Sequence, residues 1–104
     1  MTIDVEVFSV LRYEDKKNPG TYKCRLSYRL LDTKSIANTA NLKGYSELAF
    51  FLDDTKLFDS FDPKYCGKAL KFEIEERPYA NNPFKKYVCL KAIKDQDGKD
   101  IYIL

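Results

Sequence analysis

The sequence predicts one all-β domain of five barrel-forming strands, with a short helix between the third and fourth strands and an added hairpin at the C-terminal end. Three observations predict it. Apolar and polar residues alternate with period two over most of the chain, as when one face of each strand is buried. Helix signals are confined to one short segment after Asp53, and Pro19-Gly20 and Asp97-Gly98 punctuate the pattern as turns. A chain of 104 residues holds one hydrophobic core.

In the first strand Ile3, Val5, Val7, Ser9 and Leu11 alternate with Asp4, Glu6, Phe8, Val10 and Arg12. Lys16-Lys17-Asn18-Pro19-Gly20 ends it, because proline lacks a ladder donor and glycine tolerates positive φ. The second strand runs from Thr21 to Leu31, with Tyr22, Cys24, Leu26, Tyr28 and Leu30 on one face and Lys23, Arg25, Ser27 and Arg29 on the other. Asp32 to Gly44 is polar and unpatterned and reads as a long exposed loop. The third strand covers Tyr45 to Leu52, with Leu48, Phe50 and Leu52 inward. Asp53-Asp54-Thr55 offers side-chain oxygens to the unpaired N–H groups of a first helical turn. Leu57, Phe58 and Phe61 give that helix an apolar face before Asp62-Pro63 stops it. After Gly67, Leu70, Phe72 and Ile74 mark the fourth strand; Pro78 to Pro83 reads as a turn-rich connection, and Lys86 to Lys94 as the fifth strand. Asp97-Gly98 then lets Ile101 to Leu104 return alongside it.

Charge placement is more informative than charge total. Eighteen Lys and Arg against sixteen Asp and Glu leave only +2, yet two stretches are locally +4 and rich in rings. The first contains Arg12, Tyr13, Lys16, Lys17, Tyr22, Lys23, Arg25, Tyr28 and Arg29; the second contains Arg77, Tyr79, Phe84, Lys85, Lys86, Tyr87 and Lys91. Rings offer flat faces to unpaired bases and cations hold phosphates, so this is the chemistry of single-stranded nucleic-acid binding. Acids gather elsewhere, at Asp53, Asp54, Asp59 and Asp62 and again at Asp95, Asp97 and Asp100. A polarised molecule with one polyanion-attracting face is expected.

Five strands, a helix after the third, and loops after the first and fourth match the OB-fold, whose two corresponding loops flank a face for oligonucleotides or oligosaccharides. The two basic aromatic stretches fall on those loops and are expected to form neighbouring lips of one groove. An open antiparallel sheet with one packed helix fits the same pattern.

The chain also resembles the small single-stranded DNA-binding, helix-destabilising proteins of filamentous phages and their OB-fold relatives in phages and mobile elements. The residues carrying the likeness are the alternating Thr2 to Val7, Gly20-Thr21-Tyr22 with Leu26 and Tyr28, and Gly44-Tyr45-Ser46-Glu47-Leu48 running into Leu52-Asp53-Asp54. Phe84 resembles an aromatic at the tip of a family hairpin. The resemblance implies base stacking by Tyr22, Tyr45 and Phe84, coating of single-stranded DNA during replication or transfer of a phage, plasmid or mobile element, and a homodimer. This chain is longer, with an extra stretch between Asp32 and Gly44 and an added terminal hairpin.

Catalysis finds little support: there is no histidine, Gly-rich phosphate loop, nucleophile elbow or metal-ligand spacing. No metal or cofactor is implied. The three separated cysteines, Cys24, Cys66 and Cys89, read as reduced thiols, with Cys24 and Cys89 buried. No apolar run has membrane-span length, and Asp4 and Glu6 stand where a signal peptide would be basic, so a cytoplasmic protein is expected. RNA is a further possible ligand. The alternatives are an OB-type protein-interaction module, whose exposed tyrosines would be hot spots, and an OB-type sugar binder.

Overall fold

The computed structural model describes residues 1–32 and 36–104. The alternating segments form β1 (Thr2–Glu14), β2 (Tyr22–Leu30), β3 (Ile36–Asn38), β4 (Lys43–Tyr45), β5 (Leu48–Leu52), β6 (Ala69–Tyr79), β7 (Asn82–Lys94) and β8 (Asp100–Ile103). Helix α1 (Lys56–Ser60) and one 3-10 turn (Pro63–Tyr65) lie between β5 and β6. The main sheet has six antiparallel strands in the order β5-β2-β1-β6-β7-β8, and β3 and β4 pair as a separate hairpin. The all-β expectation holds at this level, with β5 and β8 as the two edges of the main sheet.

Val5, Val7, Leu26, Leu57, Leu70, Phe72 and Ile93 are fully buried, and Phe50, Leu52, Phe61 and Tyr65 pack on them. At the centre, Tyr28 stacks on Phe50 (5.2 Å between centroids, 7° between planes), and Phe72 lies tilted against both. Helix α1 is five residues long and anchored through Leu57, while Phe58 remains exposed. Asp54 rather than Thr55 caps it, its Oδ1 accepting from the Lys56 N–H at 3.0 Å.

Three boundaries differ from the sequence reading. Part of the expected loop, residues 33–35, lies outside the described residues. Beyond it Ile36–Asn38 and Lys43–Tyr45 pair as a hairpin, which also takes Tyr45 out of the third barrel strand. The expected connection from Pro78 to Pro83 is mostly strand: pairing continues to Tyr79 opposite Asn82, because Pro78 and Pro83 sit where the ladder is already irregular.

The third difference sets up the surface described below. A bulge between Val7 and Ser9 puts an extra residue into β1, and one extra residue sends every later side chain to the opposite face. Val10 then stands opposite buried Leu26, and Arg12 opposite buried Cys24. Leu11, which strict alternation assigned to the inner face with Val5 and Val7, turns outward and is 46% exposed.

Candidate nucleic-acid interface

The bulge and the cross-strand register place Leu11, Arg25 and Phe51 in one row across the outer face of β1, β2 and β5, with Tyr13 opposite Lys23 beside them. Residues directly opposite in an antiparallel ladder share a face, so this grouping follows from register alone. Phe51 is 69% exposed. Next to it a shallow depression of about 260 Å³ is lined by Arg25, Ser27, Glu47, Leu48, Ala49 and Phe51. The Arg25 Nε is buried and has no hydrogen-bond partner among the described residues. A buried unpaired donor costs stability, more so on a charged group, and the guanidinium as a whole has no acid partner among the described residues.

Above this row the β1–β2 turn is built around Asp15. Its carboxylate accepts from the Lys17 N–H (3.0 Å) and Asn18 Nδ2 (3.2 Å) and pairs with Lys23 Nζ (3.4 Å). Gly20 at φ +87° closes the turn. The Lys17 amide bond, then Asn18, then Lys23 hold the Asp15 carboxyl below the usual aspartate range. A carboxyl with a depressed folded pKa contributes order that is present above its unfolded pKa and lost as pH falls through the folded one. The turn is therefore expected to keep its shape through neutral and mildly acidic pH and to loosen only below the ordinary carboxylate range. Amide shifts of Lys16 to Gly20 against pH, compared with Asp15→Asn, check this; the variant should show the loosened turn already at neutral pH.

The turn leaves Lys16 and Lys17 exposed and without an ion pair among the described residues. Lys23 is less free, because Asp53 reaches it from β5 at 3.7 Å. Arg29 is bound to Glu6 (2.7 Å) and stacked over the Tyr45 ring at 4.0 Å. Arg12 faces the core end of the sheet and covers the rings of Tyr22 (4.7 Å) and Phe58 (5.8 Å). Tyr22 in turn donates to Glu14 at 3.3 Å. Arg29 is thus neutralised by Glu6, Tyr22 and Tyr45 each carry a guanidinium on one side, and Arg12 has no acid partner among the described residues.

Tyr28 requires a correction. It is 7% exposed and part of the central ring cluster, where burial also pushes its hydroxyl pKa up, so it is a core residue and not a base platform. Tyr28→Phe is expected to leave affinity for any surface ligand unchanged, as an oligonucleotide titration would show.

The second basic stretch lies elsewhere. β6 pairs with β1 only as far as Glu73 opposite Thr2, and β8 pairs with β7 only from Ala92 onward. From Glu75 to Cys89 the two strands therefore pair with each other as an arm. Tyr79 and Tyr87 contact each other at 5.1 Å, and Glu75 holds both Arg77 and Lys91 at 3.2 Å. Lys91 and Arg77 keep the Glu75 carboxyl below its usual range. Lys85 and Lys86 are exposed, and Phe84, in the irregular stretch of β7 just past the Ala80–Asn81 turn, is 95% exposed.

The arm leaves β1 at its N-terminal end, whereas the Lys16–Lys17 turn caps its C-terminal end. The two stretches are thus not neighbouring lips. They stand at opposite ends of the strands, because antiparallel pairing of β6 with β1 sends the two hairpins in opposite directions. No ring stack or ion pair among the described residues joins them. The outer face of β1, β2 and β5 lies at the sheet end nearer the turn, and Phe51 and Leu11 on it stand apart from both candidate sets, Phe51 because it belongs to no basic cluster and Leu11 because strict alternation puts it on the inner face. The signal available was the inward assignment of Phe50 and Leu52, which leaves Phe51 outward.

Cys24 is buried, whereas Cys66 and Cys89 are only half-buried, so Cys89 departs from expectation. Burial raises the thiol pKa of Cys24 and Cys66. No helix among the described residues is long and apolar enough to cross a membrane. The chain matches no protein-family model, and neither curated proteins nor solved structures give a significant match.

Proposed function

We propose that the protein binds single-stranded DNA, without sequence preference and without catalysis, along the outer face of β1, β2 and β5. The observation that carries this reading is the cross-strand pair of Arg25 and Phe51: a guanidinium with no acid partner among the described residues beside an exposed ring. A base stacks on the ring and its phosphate takes the guanidinium. Tyr13, Leu11 and Lys23 extend this surface toward the turn, where Lys16 and Lys17 add charge that no acid among the described residues neutralises. At the other end Lys85 and Lys86 extend the positive surface along the arm.

The strand order β5-β2-β1-β6-β7, with α1 between β5 and β6, supports an OB-type barrel, since it is the order such a barrel shows when unrolled. In that reading the ligand lies on the face an OB-fold commonly uses. The coating role in replication or transfer of a phage, plasmid or mobile element, and the homodimer, follow from the resemblance stated for the sequence.

The test is a titration with oligo-dT, oligo-rU and duplex DNA at two salt concentrations, read by tyrosine fluorescence, since the chain has eight tyrosines and no tryptophan. Single-stranded DNA is expected to quench the signal. Log K should fall with log salt by about 0.7 for each phosphate neutralised. Equal or tighter binding to duplex DNA, or affinity indifferent to salt, would refute the proposal.

A further inference from the structure

The outer face of β1, β2 and β5 carries one group that a phosphate would avoid. Glu47, the residue preceding β5 by one, is exposed and has no cation partner among the described residues. Arg29, the next cation along that side of β2, is held by Glu6 and lies over Tyr45. Glu47 lines the depression of about 260 Å³ together with Arg25, Ser27, Ala49 and Phe51. Cross-strand register sets Arg25 opposite Phe51 and Ser27 opposite Ala49, so Ser27 lies between the ring and the carboxylate. Ser27 is 1% exposed, yet its hydroxyl has no hydrogen-bond partner among the described residues. Hydroxyls on buried residues are normally paired, and this one lines a depression open to a ligand.

We infer that this depression selects guanine at one nucleotide of the bound strand. The inference rests on the proposed DNA face and refines it: ring and phosphate contacts accept any base, and Glu47 with Ser27 adds a preference at a single position. A carboxylate accepts through two oxygens side by side. Among the four bases only guanine offers two adjacent donors, N1–H and the 2-amino group, with a carbonyl, O6, beside them. A guanine stacked on Phe51, its phosphate on Arg25, turns that edge toward Glu47 and Ser27. The carboxylate then accepts from N1–H and the 2-amino group, and the Ser27 hydroxyl donates to O6. Thymine sets its one N–H between two carbonyls, and adenine and cytosine set an amino group beside an unprotonated nitrogen. Each of the three therefore turns a lone pair toward one carboxylate oxygen.

The test compares affinities of the full chain, by fluorescence anisotropy of labelled strands. The strands are an oligo-dT of about 8 nucleotides, within the size of one OB-type site, and the same strand with one central dG, dA or deoxyinosine. The dG strand is expected to bind roughly tenfold tighter than oligo-dT, as a bidentate base contact provides, while the dA strand stays close to oligo-dT. Deoxyinosine, which lacks the 2-amino group, should fall between dG and dT. Glu47→Ala should tighten oligo-dT, because no carboxylate then repels the strand, and should lose the dG preference. Equal affinity for dG and dT strands overturns the inference and leaves the DNA reading intact. Equal gains for dG and dA would mean purine stacking alone and overturn it too, as would a dG preference that survives Glu47→Ala. Failure of every strand to bind would refute the DNA reading and the inference with it.

Discussion

Phe72→Ala is expected to destabilise the fold by about 3–5 kcal/mol, the usual range for removing a buried phenyl group. Phe72 is fully buried in β6 and touches both other rings of the central cluster, with centroids 5.1 Å from Tyr28 and 6.1 Å from Phe50. Each ring pair contributes about 0.5–1.5 kcal/mol beyond area burial, so the alanine variant loses two such contacts as well as transfer energy. The three rings come from β2, β5 and β6, so the cluster ties one edge of the sheet to the strand from which the arm departs. Domains of this size have a total stability of roughly 5–15 kcal/mol, and the loss would remove much of it. Urea unfolding followed by circular dichroism measures the shift. A change below 1 kcal/mol would mean that the ring cluster is not the centre of the core.

Phe51→Ala is expected to show the opposite pattern. The ring is exposed, so stability should change by no more than about 0.5 kcal/mol, as for other surface substitutions. Affinity for single-stranded DNA should fall by about 1–3 kcal/mol, the measured range for losing one stacked base. Arg25→Ala should weaken binding too and should reduce the salt slope by about 0.7 for its lost phosphate contact. Arg25→Lys keeps the charge but loses the planar fork and should recover only part of the affinity. Phe51 and Arg25 are cross-strand neighbours, so the double variant should lose less than the sum of the two single losses if both hold one nucleotide.

How far the sequence could be read depended on whether a feature is local. Strand alternation, the Asp97-Gly98 turn and the short helix are set by neighbouring residues, and the structure has each of them near its expected position. Gly98 at φ +86° and Asp95, whose carboxylate accepts from the Asp97 and Lys99 amides at 2.9 Å, build the last turn. The β1 bulge escaped because Phe8 and Val10 are both apolar, so either register suits the composition, and only pairing with β2 decides which faces the core. The arm escaped because its strands find partners in each other across two prolines. Charge was overcounted for a related reason. Glu6, Asp53 and Glu75 lie outside the two basic stretches in sequence, but pairing brings them onto Arg29, Lys23 and Arg77. Tyr28 was grouped with surface rings by composition, although its alternation with Arg29 and Ser27 already placed it on the side of Cys24 and Leu26.

The most direct measurement is an amide and side-chain NMR titration of the isotope-labelled protein with oligo-dT. Shifts concentrated at Leu11, Tyr13, Arg25 and Phe51 and in the Lys16–Gly20 turn are the predicted result. Shifts confined to β8 or to the helix side, with that row unchanged, would contradict the assignment of the outer face.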